Sequence, residues 1–95
     1  MAAYFVVDVT VEDPVLYEDY RKLVNDTLKK YGGKFLVRGG ATETIEGDWQ
    51  PGRFVILEFE DAEQFRRWYN SPEYDKAKQI RWKASSARAV LAEGV

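Results

Sequence analysis

The sequence predicts a small α+β domain built on one four-stranded antiparallel sheet. Three observations carry this. Runs rich in Val and aromatic residues alternate between two sides over Ala3–Val11, Lys34–Arg38, Arg53–Glu60 and Ala87–Glu93, as half-buried strands do. After the first and third runs, apolar residues recur near every 3.6 positions, the spacing of one buried helix face. Length and composition complete the case: 95 residues, 45% hydrophobic, with three Trp, six Tyr and five Phe, suit one folded core and leave no linker for a second domain. Residues 1–95 are therefore read as a single domain.

In the first strand, AYFVVDVTV, Val and aromatics favour a pleated surface. Asp13-Pro14 then reads as an N-cap followed by a proline whose missing N–H costs nothing in a first turn. Leu16, Tyr20, Leu23, Val24, Thr27, Leu28 and Tyr31 form the buried face of the first helix, which Gly32-Gly33 ends. KFLVR, Lys34–Arg38, is the second strand, and residues 41–46 are expected to extend it after a bulge at Gly39-Gly40. Gly47–Gly52 is a loop by composition. RFVILEFE, Arg53–Glu60, is the clearest strand. Asp61 with Gln64 resembles a capping box, with Phe65, Trp68 and Tyr69 on the buried face behind it. Ser71-Pro72 restarts a helix through Tyr74, Ala77 and Ile80 toward Ala84. Ala87–Glu93 is the last strand. The order is βαββαβ, the ferredoxin-like plan, with strand order 4-1-3-2 and both helical stretches on one sheet face.

Composition also excludes functions. With a net charge of −2, neither nucleic acid nor an anionic membrane surface is an expected partner. The chain has no Cys and no His, so disulfides, a thiolate nucleophile and the usual zinc and haem ligands are missing; no metal and no cofactor is expected. No apolar run approaches the ~20 residues of a membrane span and no basic leader opens the chain, which makes a cytoplasmic location the default. The segment GRFVILEFED superficially resembles an RNA-recognition strand. One stacking position holds Phe54 but the next is Ile56, and acids share the face, so RNA binding is rejected.

Alternation assigns Phe5, Val7, Val9, Val55, Leu57 and Phe59 to the helix-covered side. The opposite side then carries Tyr4, Val6, Asp8 and Thr10, Leu36 and Arg38, Phe54, Ile56 and Glu58, and Arg88, Val90 and Ala92. A solvated face does not need so many apolar residues, so a second copy is expected to cover it, giving a homodimer. Read across the strand order, the charges fall as Arg88, Asp8, Glu58, Arg38. Buried ions must be paired. This row is therefore either a salt-bridge network holding the dimer together or the wall of a polar pocket for a small-molecule ligand, unless the strands pair in another register and the row does not form. In the second reading Asp8 and Glu58 are a catalytic acid/base pair, and Arg38 and Arg88 bind an anionic group.

The segments AYFVVDVTVEDP, YGGKFLVRGG, IEGDWQPGR, VILEFED, NSPEYDKAK and ARAVLAEG together resemble the bacterial family called domain of unknown function 1330, over essentially the whole chain. The resemblance implies a dimeric α+β barrel, two ferredoxin-like sheets packed face to face around a central pocket. That superfamily includes cofactor-independent monooxygenases, lactone isomerases and haem enzymes, so the fold does not choose a reaction. Haem-dependent relatives are poor guides for a chain without histidine. Asn25-Asp26 stands where many relatives look proline-rich.

The family-like positions add Trp49 and Tyr74 to the four charges as candidate substrate-binding residues. Trp49 lies in a Gly/Pro loop and either closes a pocket over a flat substrate or packs on the protein. Tyr74 either points its phenol to the cavity mouth or, at helical spacing with Ala77 and Ile80, is core. Gly39-Gly40 either offers oxyanion-binding N–H groups or merely forms a bulge. The expected function is binding or acid/base transformation of a small anionic or enolisable organic molecule between the sheets, without cofactor. As an enzyme it would be isomerase-, lyase- or monooxygenase-like. The alternative is a structural or interaction module whose charges only stabilise the dimer.

Overall fold

A computed structural model describes residues 1–95, and each helix in it begins at the capping residue that the sequence predicts. Asp13 accepts the Leu16 N–H at 3.0 Å at the start of α1 (Pro14–Tyr31). Asp61 accepts the Gln64 N–H at 2.7 Å to open α2 (Ala62–Tyr69), and Gln64 Oε1 accepts the N–H of Glu60, one residue before the cap, rather than that of Asp61 as in a strict capping box. Ser71 Oγ accepts from the Tyr74 N–H at 3.1 Å to open α3 (Pro72–Ala84). At the end of α1, Gly32 adopts φ +77°, the left-handed cap that glycine takes without a Cβ penalty.

The strands are β1 (Ala3–Val11), β2 (Lys34–Arg38), β3 (Arg53–Phe59) and β4 (Ser85–Glu93), in the order β2-β3-β1-β4 with every neighbouring pair antiparallel. This is the ferredoxin-like α+β fold. Residues 41–46, expected to prolong β2, instead lie in a long irregular loop, and β4 begins two residues earlier than predicted. No helix is long and apolar enough to cross a membrane.

The core lies between sheet and helices. Phe5, Val7, Val9, Val55, Leu57 and Phe59 are all buried there, as alternation predicts. Aromatics fill the centre: Trp68 is fully buried, packs at a tilt against Phe59 and Tyr74, and donates its Nε1–H to Thr27 Oγ1 at 3.0 Å. Helix α2 packs directly on β1 and β3, whereas the close neighbours of α1 are α3 and α2. That leaves space under α1.

One irregularity decides the site. In β2, Phe35 pairs with Leu57 but Val37 pairs with Ile56, so Leu36 is an extra residue and the pleat slips by one. Arg38 consequently pairs with Val55 and turns to the helix side.

Candidate functional site

The open face does not hold the predicted row of four charges. In the β1–β3 register Asp8 lies opposite Phe54, and Glu58 lies opposite Tyr4, so the two carboxylates are separated by four residues, about 13 Å along the strands. They cannot share a proton. Arg38 leaves this face altogether because of the bulge at Leu36. Alternation within each strand gives sides but says nothing of register between strands, and the bulge inverts even the side.

What Asp8 does instead is hold the Trp49 loop. The segment GDWQPG returns the chain to β3, and Gly52 passes so close to the Val9 carbonyl that a Cβ would sit 2.5 Å from its oxygen. Asp8 Oδ1 accepts the Gly52 N–H and Oδ2 accepts the Trp49 Nε1–H, both at 2.9 Å. These bonds, with the Arg88 guanidinium 3.8 Å away, hold the Asp8 carboxyl below its ordinary 3.8. A carboxylate so satisfied is a weak base. Trp49 packs edge-on against Phe54 and stays half exposed. Arg88 is largely exposed, and Glu58 pairs with Lys34 at 3.5 Å. Asp8, Trp49, Phe54 and Arg88 rim an open cleft of about 700 Å³, while Val90 and Leu36 stay exposed.

Tyr74 is not at a cavity mouth. It is fully buried, with its hydroxyl 3.0 Å from that of Tyr20, and burial pushes both phenols up, so both remain protonated at neutral pH. The Gly39 N–H, a candidate oxyanion donor, is spent on the Phe54 carbonyl at 2.7 Å.

The second concavity lies under α1. It has a volume of about 270 Å³, just under the ~300 Å³ at which ligand pockets begin, and suits a small metabolite-sized molecule. Its floor is Phe5, Val7, Val9, Val55 and Leu57; Tyr17, Tyr20 and Val24 of α1 form its roof. Five basic side chains line it against one carboxylate, Glu18, in a chain of net charge −2, and Glu18 is already paired with Arg21 at 2.8 Å.

Four of those bases have no ion-pair partner: the exposed Lys22, and Arg38, Arg53 and Arg81. Arg53 follows the alternation of Val55, Leu57 and Phe59 and therefore points inward from β3. Its Nε is the one buried side-chain nitrogen or oxygen in the protein without a hydrogen-bond partner. Arg81, seven residues after Tyr74 and four after Ala77, lies on the buried face of α3; it is 5% exposed and faces the Tyr74 and Tyr20 phenols. Arg38 stacks on Phe35 and donates from Nη2 to Asn25 Oδ1 at 2.9 Å, tying the β2 wall to α1. Of these three arginines only Arg81 is buried, Arg53 being half-buried and Arg38 exposed; a guanidinium buried without counter-charge costs several kcal/mol, so the inner end of the cavity is poised for an anion. The sequence reading missed Arg53 and Arg81, although strand alternation and helical spacing both marked them as charges on buried faces.

Solved structures with this fold are similar over nearly the whole chain. RPA0582 of Rhodopseudomonas palustris, described as a protein of unknown function, is 17% identical with a TM-score of 0.80, covering 99% of this chain and 82% of that one. A dimeric ferredoxin-like protein from Jannaschia sp. CCS1 is 11% identical with a TM-score of 0.76, over 99% of this chain and all of that one. SnoaB, a cofactor-independent oxygenase from Streptomyces nogalater, is 18% identical with a TM-score of 0.70, over 99% and 93%. Such identities establish the fold alone. Among curated proteins none matches the chain. The model of the domain of unknown function 1330 (DUF1330) matches residues 2–95, and the chain belongs to that family.

Proposed function

We propose that this protein works as a homodimer that binds a small anionic organic molecule in the cavity between α1 and the sheet of each subunit. One observation carries the reading: Arg53, whose buried Nε has no acceptor, and the buried Arg81, which has no carboxylate partner, line the same cavity of about 270 Å³. Arg38 belongs to the same site from the rim. The cavity supplies positive charge and protonated phenols, which stabilise a carboxylate or a developing enolate oxygen. It has no interior carboxylate base, and Asp8 and Glu58, four residues apart in register, lack the proximity that a shared acid/base role needs.

The homodimer reading rests on the open face. Its apolar Val6, Ile56 and Val90 surround the Asp8–Trp49–Arg88 cluster, and a dimeric ferredoxin-like protein of the same fold supports it. Because both oxygens of Asp8 are engaged, this cluster favours the structural alternative at that place: a charged group that shapes the dimer face. Native mass spectrometry of protein purified without denaturation tests both parts. A dimer retaining an anionic adduct that is lost in Arg53→Gln is the expected result; a monomer overturns the assembly, and an adduct retained by Arg53→Gln overturns the site.

A further inference from the structure

We propose that Gly39 is a positioning residue for the cavity under α1: by having no side chain it opens the groove that holds the Arg53 guanidinium inward. This rests on the reading of that cavity as an anion site and adds the residue that places its charge. A Cβ built on Gly39 would stand 2.5 Å from Arg53 Nη1, 3.0 Å from Cζ and 3.2 Å from Cγ, so the arginine lies along the bare Cα from stem to head. The Tyr17 ring of α1, its centroid 5.8 Å from Cζ, is a second wall. The groove is held by the backbone. Gly39 donates its N–H at 2.7 Å to the carbonyl of Phe54, the residue after Arg53, and its φ of +67° lies in the left-handed region that glycine takes without steric cost.

No carboxylate anchors this guanidinium. Arg53 forms no ion pair, its Nε has no hydrogen-bond partner, and the residue is only half-buried. A long side chain so placed gains by swinging its charged head into water, where every N–H finds an acceptor. Its inward position therefore depends on shape, the room beside Gly39 and the contact with the Tyr17 ring. Were a Cβ present at position 39, the flexible end of Arg53 would give way first, because Arg38 is paired with Val55 and Gly39 is bonded to Phe54 in the sheet. Gly47 supplies the contrast. It lies in the same connection between β2 and β3 with φ +80°, yet a Cβ there meets nothing within 4 Å. Position 47 asks only for a backbone conformation; position 39 asks also for space.

Gly39→Ala compared with Gly47→Ala tests this, since both carry the positive-φ strain and only the first carries the contact. Proton–nitrogen correlation spectra of the ligand-free full-length protein follow the Arg53 Nε–H resonance, identified by its loss in Arg53→Lys, and amide shifts at Val24, Val55 and Leu57 give the Kd for acetate. Gly39→Ala should move the Nε–H resonance, speed its exchange with water and weaken acetate binding about tenfold, the scale of one charge-assisted bond; Gly47→Ala should leave all three as in wild type. If Gly39→Ala does not fold, Gly39→Asn takes its place, because asparagine adopts positive φ more readily. In an Arg53→Lys background, adding Gly39→Ala should weaken acetate by no more than about twofold, whereas a purely structural role for Gly39 would weaken it as much as in wild type. An unchanged Nε–H resonance in Gly39→Ala, or equal changes in Gly47→Ala, overturns the proposal. Failure of acetate to shift these amides in the wild type overturns the anion site instead, and with it any part of Gly39 in binding.

Discussion

Replacing Arg53 by Met should make the ligand-free protein more stable, because the arginine is kept at a cost to the fold. Its Nε is buried without an acceptor, and an unsatisfied buried donor costs about 1–3 kcal/mol. Against this stands its contact over the Tyr17 ring, 5.8 Å from the centroid, worth about 0.5–1 kcal/mol. Methionine fills similar space along the stem and needs no partner. The balance is a gain of about 1 kcal/mol, which raises Tm by ~4–8 °C in a domain of this size. Urea unfolding should show a higher midpoint at unchanged slope. With a bound anion at 100 times its Kd, the wild type gains about 2.7 kcal/mol, so the order of stability reverses. A Tm for Arg53→Met that falls by several degrees, or an anion response equal to that of wild type, refutes the claim that Arg53 is held for a ligand.

Other substitutions separate the remaining assignments. Val90→Glu places a charge on the exposed apolar part of the sheet face and should convert a dimer to a monomer in light-scattering chromatography without loss of helical circular dichroism. Tyr74→Phe leaves the buried Tyr20 hydroxyl without its partner and should cost about 1–3 kcal/mol in urea unfolding, while an exposed ligand-binding tyrosine would cost little. Asp8 has a depressed pKa in the fold; its contribution is full above its ordinary 3.8 and is lost as pH falls through the lower folded value. Acid titration should therefore release Trp49, seen as a fluorescence change below pH 3.8, and Asp8→Asn should lack this step. Glu73, held at about 2 by Lys30 and Tyr31, should add an acid-limb loss of stability between its ordinary 4.5 and about 2 that Glu73→Gln removes.

Much of this architecture is written locally. The caps at Asp13, Asp61 and Ser71, the glycine stop at Gly32 and the alternation of Phe5, Val7 and Val9 act within a few residues, so the sequence by itself determined the elements, their order and the buried side of β1 and β3. Arg53 and Arg81 are in phase with the inward faces of β3 and α3, although neither was expected there from the sequence. Other features depend on contacts between segments distant in the chain. The pairing of Asp8 with Phe54 and of Glu58 with Tyr4 belongs to two strands at once, and no alternation within one strand fixes it. The bulge at Leu36 reverses Arg38 because one inserted residue changes the phase of everything after it. The cavity exists because α1 leans on α3 and α2 while α2 meets the sheet. Helix faces are legible from periodicity; the distance a helix stands from its sheet is set by packing, and only the tertiary structure decided where the charges meet.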